Sequence, residues 1–281
     1  IAVVGDHGEA FGEHDERQHG YFVYDATLRV PLLFHCPGLV PAGRRVEAPV
    51  RTIDVAPTIL DLIACDPLPE AQGVSLRGVI DGAADAPELA AYGESLDAHL
   101  QFGLSPLRSL SIGPWKYILS PQPELYNTAD DPNEERNVVG QHMDTAADLR
   151  ERMRALIAES AAPPAGEDSS VRLGAADLAR LQSLGYVGGP VAGESSAAEL
   201  DLFEPRGGNP RDFGEVFTRY CQSHWALMAG DFSLAEQLLH QVIKAMPEAA
   251  RVRADMAYVL QHEDRMDDAQ AAYRQALAMA P

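Results

Sequence analysis

Apolar residues in the first part of the chain form short runs that predict strands and one helix. Residues 1–4 are a continuous apolar run that ends at Gly5, and such a run predicts a buried strand of a parallel sheet that is covered on both faces. Residues 29–35 predict a second core strand. Asp54 stands directly before the apolar residues 55–63, and aspartate is a favoured residue at the start of a helix.

The middle of the chain changes to alternating patterns and then to a helical period. Residues 91–95, 108–112 and 115–119 are separated by turn signals and predict a small antiparallel sheet. Residues 144–159 carry apolar side chains at helical spacing, which predicts an amphipathic helix. A shorter helix is predicted at residues 175–184.

The last part of the chain repeats itself with a period of thirty-four residues. Apolar and proline positions recur in pairs: Ala235 with Ala269, Leu239 with Tyr273, and Pro247 with Pro281. Ser233 with Glu236 recurs as Asp267 with Gln270, and this spacing predicts a capping box at the start of a helix. The period is typical of tetratricopeptide repeats, each of which is a pair of helices. About three repeats are needed for a stable stack, so we expect the array to continue beyond the two present here.

These patterns divide the chain into three parts. Residues 1–189 are predicted to form an α/β domain with a small antiparallel sheet, and residues 215–281 an all-α repeat array. Residues 190–214 are rich in Gly, Pro, Ser and Glu, which predicts a flexible linker. Because the chain begins within a predicted strand and ends at a repeat boundary, we expect it to be a piece of a longer protein.

Composition restricts the partners of the chain. A formal net charge of -20 argues against nucleic-acid binding, and an anionic substrate would need a local cation to offset this charge. No apolar stretch is long enough to span a bilayer. Cys36, Cys65 and Cys221 are too widely spaced for a zinc cluster, so we expect buried thiols.

The residues that follow the first strand carry the candidate chemistry. Asp6 and His7 come directly after the apolar run, where active sites lie in open α/β sheets. A carboxylate and an imidazole are both common metal ligands, and the flanking glycines allow a tight turn around them. His19 stands twelve residues further on, and a histidine can donate a proton near neutral pH or stabilise developing charge.

Several stretches, taken in chain order, resemble one enzyme family. They are residues 5–9 (GDHGE) with His19 and Gly20, residues 54–62, residues 115–118 (WKYI), residues 124–127 (ELYN) with 131–134 (DPNE), and residues 184–189 (LGYVGG). Together they resemble the C-terminal half of the sulfatases, which belong to the alkaline phosphatase superfamily, in a form that carries tetratricopeptide repeats. The agreement of several ordered stretches over about 190 residues is what supports the resemblance.

The resemblance implies roles for three residues. Asp6 and His7 match two metal ligands of the family, in which many relatives have Asn at the second position. His19 matches a Lys or His that contacts the sulfate or the leaving oxygen, which implies a role in substrate binding and catalysis. The implied cofactor is a divalent metal, Ca²⁺ first, while the imidazole of His7 leaves Mn²⁺ open. Sulfatases also use a formylglycine nucleophile, which is expected upstream, so the chain alone is predicted to be inactive.

Alternatives remain for the function and for each residue. A phosphate or phosphonate ester hydrolase of the same superfamily would have the same C-terminal half. An interaction protein would bind a protein or peptide through its repeats, beside an inactive hydrolase domain. Asp6 could be a helix N-cap and His19 a surface histidine, and His7, His14 and His19 could together form a zinc site. The preferred hypothesis is metal-dependent hydrolysis of a sulfate ester.

Overall fold

The computed structural model describes residues 1–69, 71–83, 87–160 and 203–279. Residues 1–151 with 205–281 form one compact unit, and residues 152–204 form a second. The strands are β1 (Ala2–Val4), β2 (Leu32–Phe34), β3 (Ala91–Ser95), β4 (Leu107–Ile112), β5 (Trp115–Leu119) and β6 (Glu124–Asn127). The helices are α1 (Asp25–Leu28), α2 (Val55–Leu62), α3 (Arg77–Asp81), α4 (Asp97–Phe102), α5 (Met143–Ser160), α6 (Gly214–Met228), α7 (Phe232–Ala245), α8 (Ala250–His262) and α9 (Met266–Met279).

The first strand forms a two-stranded ribbon rather than part of a buried sheet. β1 pairs antiparallel with β2, with Val3 opposite Leu33. Val3 and Leu33 are more than half exposed, because a two-stranded ribbon has no second layer to cover its faces. The predicted strands are confirmed. The predicted parallel pairing and burial are wrong for the part of the chain that the structure describes.

The predicted antiparallel sheet is confirmed and gains a fourth strand. Its order is β3-β4-β5-β6, with each strand antiparallel to the next. Leu110, Tyr117 and Leu125 lie side by side across the three last strands, and all three are almost fully buried. This row of apolar side chains fixes the register, because a slip by one residue would turn it outward.

Helix α2 begins where it was predicted, but Asp54 does more than precede it. The Asp54 side chain is completely buried and makes no capping bond to the helix. Its carboxylate instead accepts hydrogen bonds from the Arg51 guanidinium, at 2.8 and 3.1 Å, and from the Val74 N–H at 2.9 Å. Although burial opposes it, the bonds from Arg51 and Val74 hold the pKa of Asp54 below its usual value. Asp54 therefore joins the helix to the loop that follows it.

The predicted amphipathic helix is confirmed as α5, in which Leu149 and Met153 are buried. The predicted helix at residues 175–184 and the stretch 184–189 lie outside the described residues.

The four C-terminal helices form the two predicted helix pairs, α6 with α7 and α8 with α9. The α7 and α9 helices start thirty-four residues apart, at Phe232 and Met266. The capping prediction is wrong for both of them, because Ser233 lies inside α7 and Asp267 lies inside α9. The Asp231 carboxylate is the cap of α7, and it accepts a hydrogen bond from the Leu234 N–H at 3.0 Å.

Helix α6 shares a core with the α/β part of the chain. The Phe217 ring stacks on Tyr21 with 4.2 Å between ring centroids, and Tyr220 meets Phe102 edge-on at 5.2 Å. Gly214 lies where a Cβ atom would come within 2.9 Å of the Asp15 Cβ, so only glycine permits this approach without a shift. Aromatic side chains from both parts therefore form one continuous hydrophobic cluster.

The end of the predicted linker is also packed. Arg211 donates from Nη1 to the buried Glu124 carboxylate at 2.9 Å and to the Tyr24 hydroxyl. Tyr24 in turn donates to the same Glu124 oxygen at 2.8 Å. Residues 190–202 lie outside the described residues, so the linker boundaries stay a prediction. From residue 205 onward the chain follows the surface of the α/β part instead of crossing freely to the repeats.

Two other expectations change with the structure. Cys65 is exposed and Cys36 and Cys221 are half-buried, so the expectation of fully buried thiols is wrong. Among the described residues, no helix combines the length and the apolar character that a membrane span requires.

Candidate active site

The candidate site lies in the loop that leaves β1. Gly8 makes this loop possible, because a Cβ atom there would lie 2.3 Å from the Ala26 carbonyl oxygen. Its N–H donates to the Thr27 carbonyl at 2.7 Å, which holds the loop against the start of α1. The glycine thus fixes the loop and leaves the neighbouring side chains of Asp6 and His7 free to face outward.

Asp6 and His7 form the first half of the site. The His7 N–H donates to Asp6 Oδ1 at 3.0 Å, and His7 Nε2 lies 3.8 Å from Asp6 Oδ2. The backbone hydrogen bond from His7 is the main reason that the pKa of Asp6 is below its usual value, so this carboxylate is ionised near neutral pH. The other ring nitrogen of His7, Nδ1, lies 2.8 Å from the Gly8 carbonyl oxygen, and this contact assigns the hydrogen to Nδ1. The lone pair of Nε2 is then available to bind a metal ion.

His19 lies at the far end of the loop, and its side chain contacts His7. Its ring stacks on His7 with 3.6 Å between centroids and 25° between planes. Its Nδ1 lies 3.1 Å from Glu9 Oε2, so the carboxylate orients the ring and leaves Nε2 as the unbound nitrogen. The Ala10 N–H donates to the Gln18 carbonyl at 2.9 Å, and this backbone bond brings the two ends of the loop together.

The donor atoms fit a divalent cation. One ligand atom each from His7, Glu9 and His19 lies within 4.8 Å of the others, a proximity that can bring them around one ion. Asp6 Oδ2 adds a fourth ligand atom, the second oxygen of the set, beside His7. Carboxylate oxygens suit Ca²⁺ and Mg²⁺, while imidazole nitrogens favour transition ions, so this mixed set is compatible with Mn²⁺ as well. All four side chains are at least 40% exposed, which leaves them accessible to an ion and an anionic ligand.

The structure rejects two of the alternatives for these residues. Asp6 is not a helix N-cap, because an irregular loop follows it and the next helical turn begins only at Glu13. His14 does not join His7 and His19 in a zinc site. Its ring stacks on Tyr24 at 3.6 Å and its Nε2 lies 3.1 Å from the Asn133 carbonyl oxygen, while burial lowers its pKa.

Behind the loop, a buried cation ties three elements together. Lys116 on β5 is 1% exposed, and its Nζ lies 2.6 Å from Asp25 Oδ1 and 2.7 Å from Glu134 Oε1. Glu134 also accepts a hydrogen bond from the Asp25 N–H at 2.6 Å. Lys116 is therefore neither at a solvated strand end nor exposed to a substrate. It joins the sheet, the start of α1 and residues 131–134, which belong to one of the stretches that resemble the sulfatases.

Comparison with known proteins gives the family of the chain. Residues 10–160, more than half of the chain, match the family model described as N-sulphoglucosamine sulphohydrolase, C-terminal. The chain belongs to the sulfatase family. Residues 226–281 match a tetratricopeptide repeat model, so this sulfatase chain carries repeats at its C-terminal end. The predicted family and fold class are both confirmed.

Individual relatives of this sulfatase chain cover the same part of it. Arylsulfatase K of Danio rerio is 30% identical over 172 residues, which are 56% of this chain and 31% of that protein. An uncharacterized sulfatase, YidJ, of Escherichia coli is 28% identical over 155 residues, 54% of this chain and 30% of that protein. A solved structure of a protein in complex with D-glucosamine-2-N,6-O-disulfate is 25% identical, with a TM-score of 0.48 and coverage of 57% and 34% of the two chains. The sulfatase chain thus spans about a third of the length of the relatives it matches.

Three members of the cluster, Asp6, His7 and His19, were predicted from the sequence. Glu9 is the fourth, and its carboxylate lies against His19, where it orients the ring. The spacing Glu9 to His19 carries no periodic signal, because the contact depends on how the loop closes. The sulfatase family implies a divalent metal, and Asp6 and His7 remain the proposed ligands.

Proposed function

We propose that this chain is the C-terminal portion of a longer enzyme that hydrolyses a sulfate ester with the help of a divalent cation. The observation that carries the proposal is the stacked pair of His7 and His19 at the end of β1. In this pair, the residue that we propose as a metal ligand contacts the residue that we propose for substrate binding. The match of residues 10–160 to the sulfatase family supplies the reaction class.

Each residue of the loop has a distinct role in this proposal. Asp6 and His7 would hold the cation through Oδ2 and Nε2, two atoms that lie 3.8 Å apart. The cation would neutralise and polarise the ester oxygens, which an otherwise acidic chain would repel. His19 binds the sulfate and delivers a proton from Nε2 to the leaving oxygen, while Glu9 keeps the ring in place through Nδ1.

We further propose that the cation is Ca²⁺, with Mn²⁺ as the alternative because of the imidazole of His7. Metal analysis of the longer protein tests the ligands directly, since it needs no turnover. Asp6→Ala should reduce the bound metal to less than about a tenth of the wild-type content, whereas Asp267→Ala, on the exposed first turn of α9, should retain it. His7→Asn should retain Ca²⁺, because an amide oxygen is a suitable ligand for this ion. Full metal content in Asp6→Ala would refute the assignment.

Turnover tests the reaction class and the role of His19. The longer protein should hydrolyse an aryl sulfate faster than the matching aryl phosphate, and the 281-residue chain alone should hydrolyse neither. His19→Ala should lower kcat by about a hundredfold to ten-thousandfold, the usual contribution of a positioned acid. His240→Ala, which removes an exposed histidine from α7, is the matched control and should leave kcat unchanged. A preference for the phosphate would instead support the phosphoesterase alternative, for which the upstream nucleophile would be Thr rather than formylglycine.

The tetratricopeptide match indicates protein interaction as a second role of the chain. We propose that the repeats bind a protein or peptide segment through the exposed side chains of α8 and α9, among them Tyr258 and Leu277. The packed face of α6 is excluded from such a surface, since Phe217 and Tyr220 are buried in the shared core.

A further inference from the structure

The backbone next to His19 is hydrogen-bonded to other parts of the chain. The Ala10 N–H donates to the Gln18 carbonyl at 2.9 Å, and the Ser95 hydroxyl donates to the Gly20 carbonyl. Gly20 has a φ of 107°, which L side chains rarely adopt, so glycine lets the chain turn directly after His19. The backbone is therefore fixed on both sides of this residue.

A buried carboxylate closes the turn that contains His19. Glu16 is 5% exposed, and its Oε1 accepts hydrogen bonds from the Tyr21 and Phe22 N–H groups at 3.0 and 3.2 Å. These bonds join the beginning and the end of residues 16–22, here called the histidine turn. A buried N–H group without an acceptor is costly, so loss of the carboxylate would open the turn.

The first repeat helix, α6, packs on the end of the histidine turn. The Phe217 ring stacks on Tyr21 with 10° between the ring planes, and it meets Phe22 edge-on with 6.1 Å between centroids. All three side chains are at most 5% exposed. Tyr21 and Phe22 are the two residues whose N–H groups bind Glu16. Phe217 therefore holds the side chains of the residues that close the turn.

Helix α6 also packs on the residue that precedes Glu16. A Cβ atom at Gly214 would lie 2.9 Å from the Asp15 Cβ and 3.0 Å from the Asp15 carbonyl oxygen. Asp15 and His14 have φ values of 65° and 53°, a left-handed conformation that is uncommon outside glycine. Such conformations persist where the surrounding structure fixes them, and Gly214 is part of that surrounding here. The helix therefore contacts the chain at both ends of the histidine turn.

We propose that three positioning residues hold the His19 ring against His7 for the reaction. They are Glu16 in the histidine turn and Gly214 and Phe217 on α6. Because His19 lies inside the closed turn, a shift of either end of the turn would move its ring away from His7. The repeat array would then be part of the active site. The role in the reaction rests on the proposed function, whereas the effect on the position of the ring does not.

Nuclear magnetic resonance of the 281-residue chain with ¹³C-labelled histidine tests the position of the His19 ring without turnover. The rings of His7 and His19 stack at 3.6 Å, so their protons should show a mutual nuclear Overhauser effect (NOE) in the parent chain. Phe217→Leu should abolish this NOE, because it removes the ring that stacks on the end of the turn. Phe232→Leu is the matched control, since it makes the same change at a partly buried position of α7, and it should retain the NOE.

Variants at the other two positions test the same contact. Glu16→Ala should abolish the NOE, and Glu16→Gln should retain it, because the amide keeps an oxygen that accepts from both N–H groups. Gly214→Ala should weaken it, because the added Cβ has no room. The rings of Trp115 and His142, with centroids 4.9 Å apart, report whether each variant is folded. A folded Phe217→Leu, Glu16→Ala or Gly214→Ala chain that keeps the parent NOE would overturn the role of that residue.

In the longer protein, positioning predicts that the effects of Phe217 and His19 are coupled. Phe217→Leu should lower kcat for an aryl sulfate by about tenfold to a hundredfold, as expected when a catalytic group is displaced by about 1 Å, without loss of bound metal. In a His19→Ala background the same change should have no further effect on kcat. Equal reductions in both backgrounds would indicate a general structural effect and would overturn the role in catalysis. If the wild-type protein hydrolyses no aryl sulfate but the NOE responds as expected, the proposed function fails and the positioning of the ring stands.

Discussion

Glu16 is a buried acid whose pKa gives the protein a measurable dependence of stability on pH. Burial is the main cause that raises this pKa from 4.5 to about 7, and the hydrogen bonds from the Tyr21 and Phe22 N–H groups offset only part of the effect. The folded chain therefore retains the Glu16 proton over a pH range in which the unfolded chain has already released it. Glu16→Gln removes this titration while keeping an oxygen that can accept both backbone bonds.

The expected size of the effect follows from the two pKa values. They differ by about 2.5, and each pKa unit corresponds to about 1.4 kcal/mol, so ionised Glu16 costs about 3 kcal/mol in the folded state. Because the folded state holds the extra proton, the free energy of unfolding of the wild type falls as the pH rises from about 4.5 to about 7. The Glu16→Gln variant lacks this loss. Its advantage over the wild type should therefore grow by about 3 kcal/mol across this range and stay constant above it.

Urea denaturation followed by circular dichroism, at pH values from about 4 to about 8, measures this difference. Other titrating groups are common to both proteins and cancel in the comparison. Glu215→Gln, which removes an exposed carboxylate from α6, should differ from the wild type by less than about 0.5 kcal/mol at every pH. Parallel curves for the wild type and Glu16→Gln would refute the assignment of a raised pKa to this residue.

Two further predictions concern the ion pairs that hold the elements around the site. Lys116→Met should lower the free energy of unfolding by about 3–5 kcal/mol, because it leaves the Glu134 carboxylate buried without its cation. Adding Glu134→Gln should restore part of this loss in the same urea titration. No recovery in the double variant would contradict the pairing. Arg211→Ala should lower the free energy of unfolding by about 1–3 kcal/mol, which is less than the loss of a fully buried pair because the Arg211 side chain is 43% exposed. Arg219→Ala removes a surface ion pair on α6 and should lower it by less than about 0.5 kcal/mol. Equal losses in these two arginine variants would show that Arg211 does not anchor the repeats.

Local patterns in the sequence were sufficient to predict most elements of the fold. The alternation in residues 91–119 predicted three strands, and the thirty-four-residue period predicted both helix pairs. Errors arose where the outcome depends on distant parts of the chain. The burial of β1 could not follow from its own residues, because burial depends on the layers that cover a strand. The cap at Asp231 instead of Ser233 is a local error of two residues, within the usual uncertainty of helix ends.

The candidate site was only partly predictable for the same reason. Asp6 and His7 are adjacent in sequence and follow a strand, so their proximity could be inferred. The stacking of His19 on His7 depends on closure of the loop between them, residues 8–18, and no periodic pattern encodes such a contact. Contacts of still longer range were missed entirely. Arg211 meets Glu124 across 87 residues, and neither residue type nor spacing distinguishes this pair from the many exposed charges of the chain.

The shared core of α6 and the α/β part limits how this protein can be divided. Tyr21, Phe22 and Phe102 are partly covered by Phe217 and Tyr220, although more than a hundred residues separate the two sets. A recombination point placed between the sulfatase segment and the repeats would separate these partners and expose an aromatic surface on both products. The repeat array is therefore not an interchangeable module. Its first helix must be inherited together with the sulfatase segment, because the two share one aromatic core.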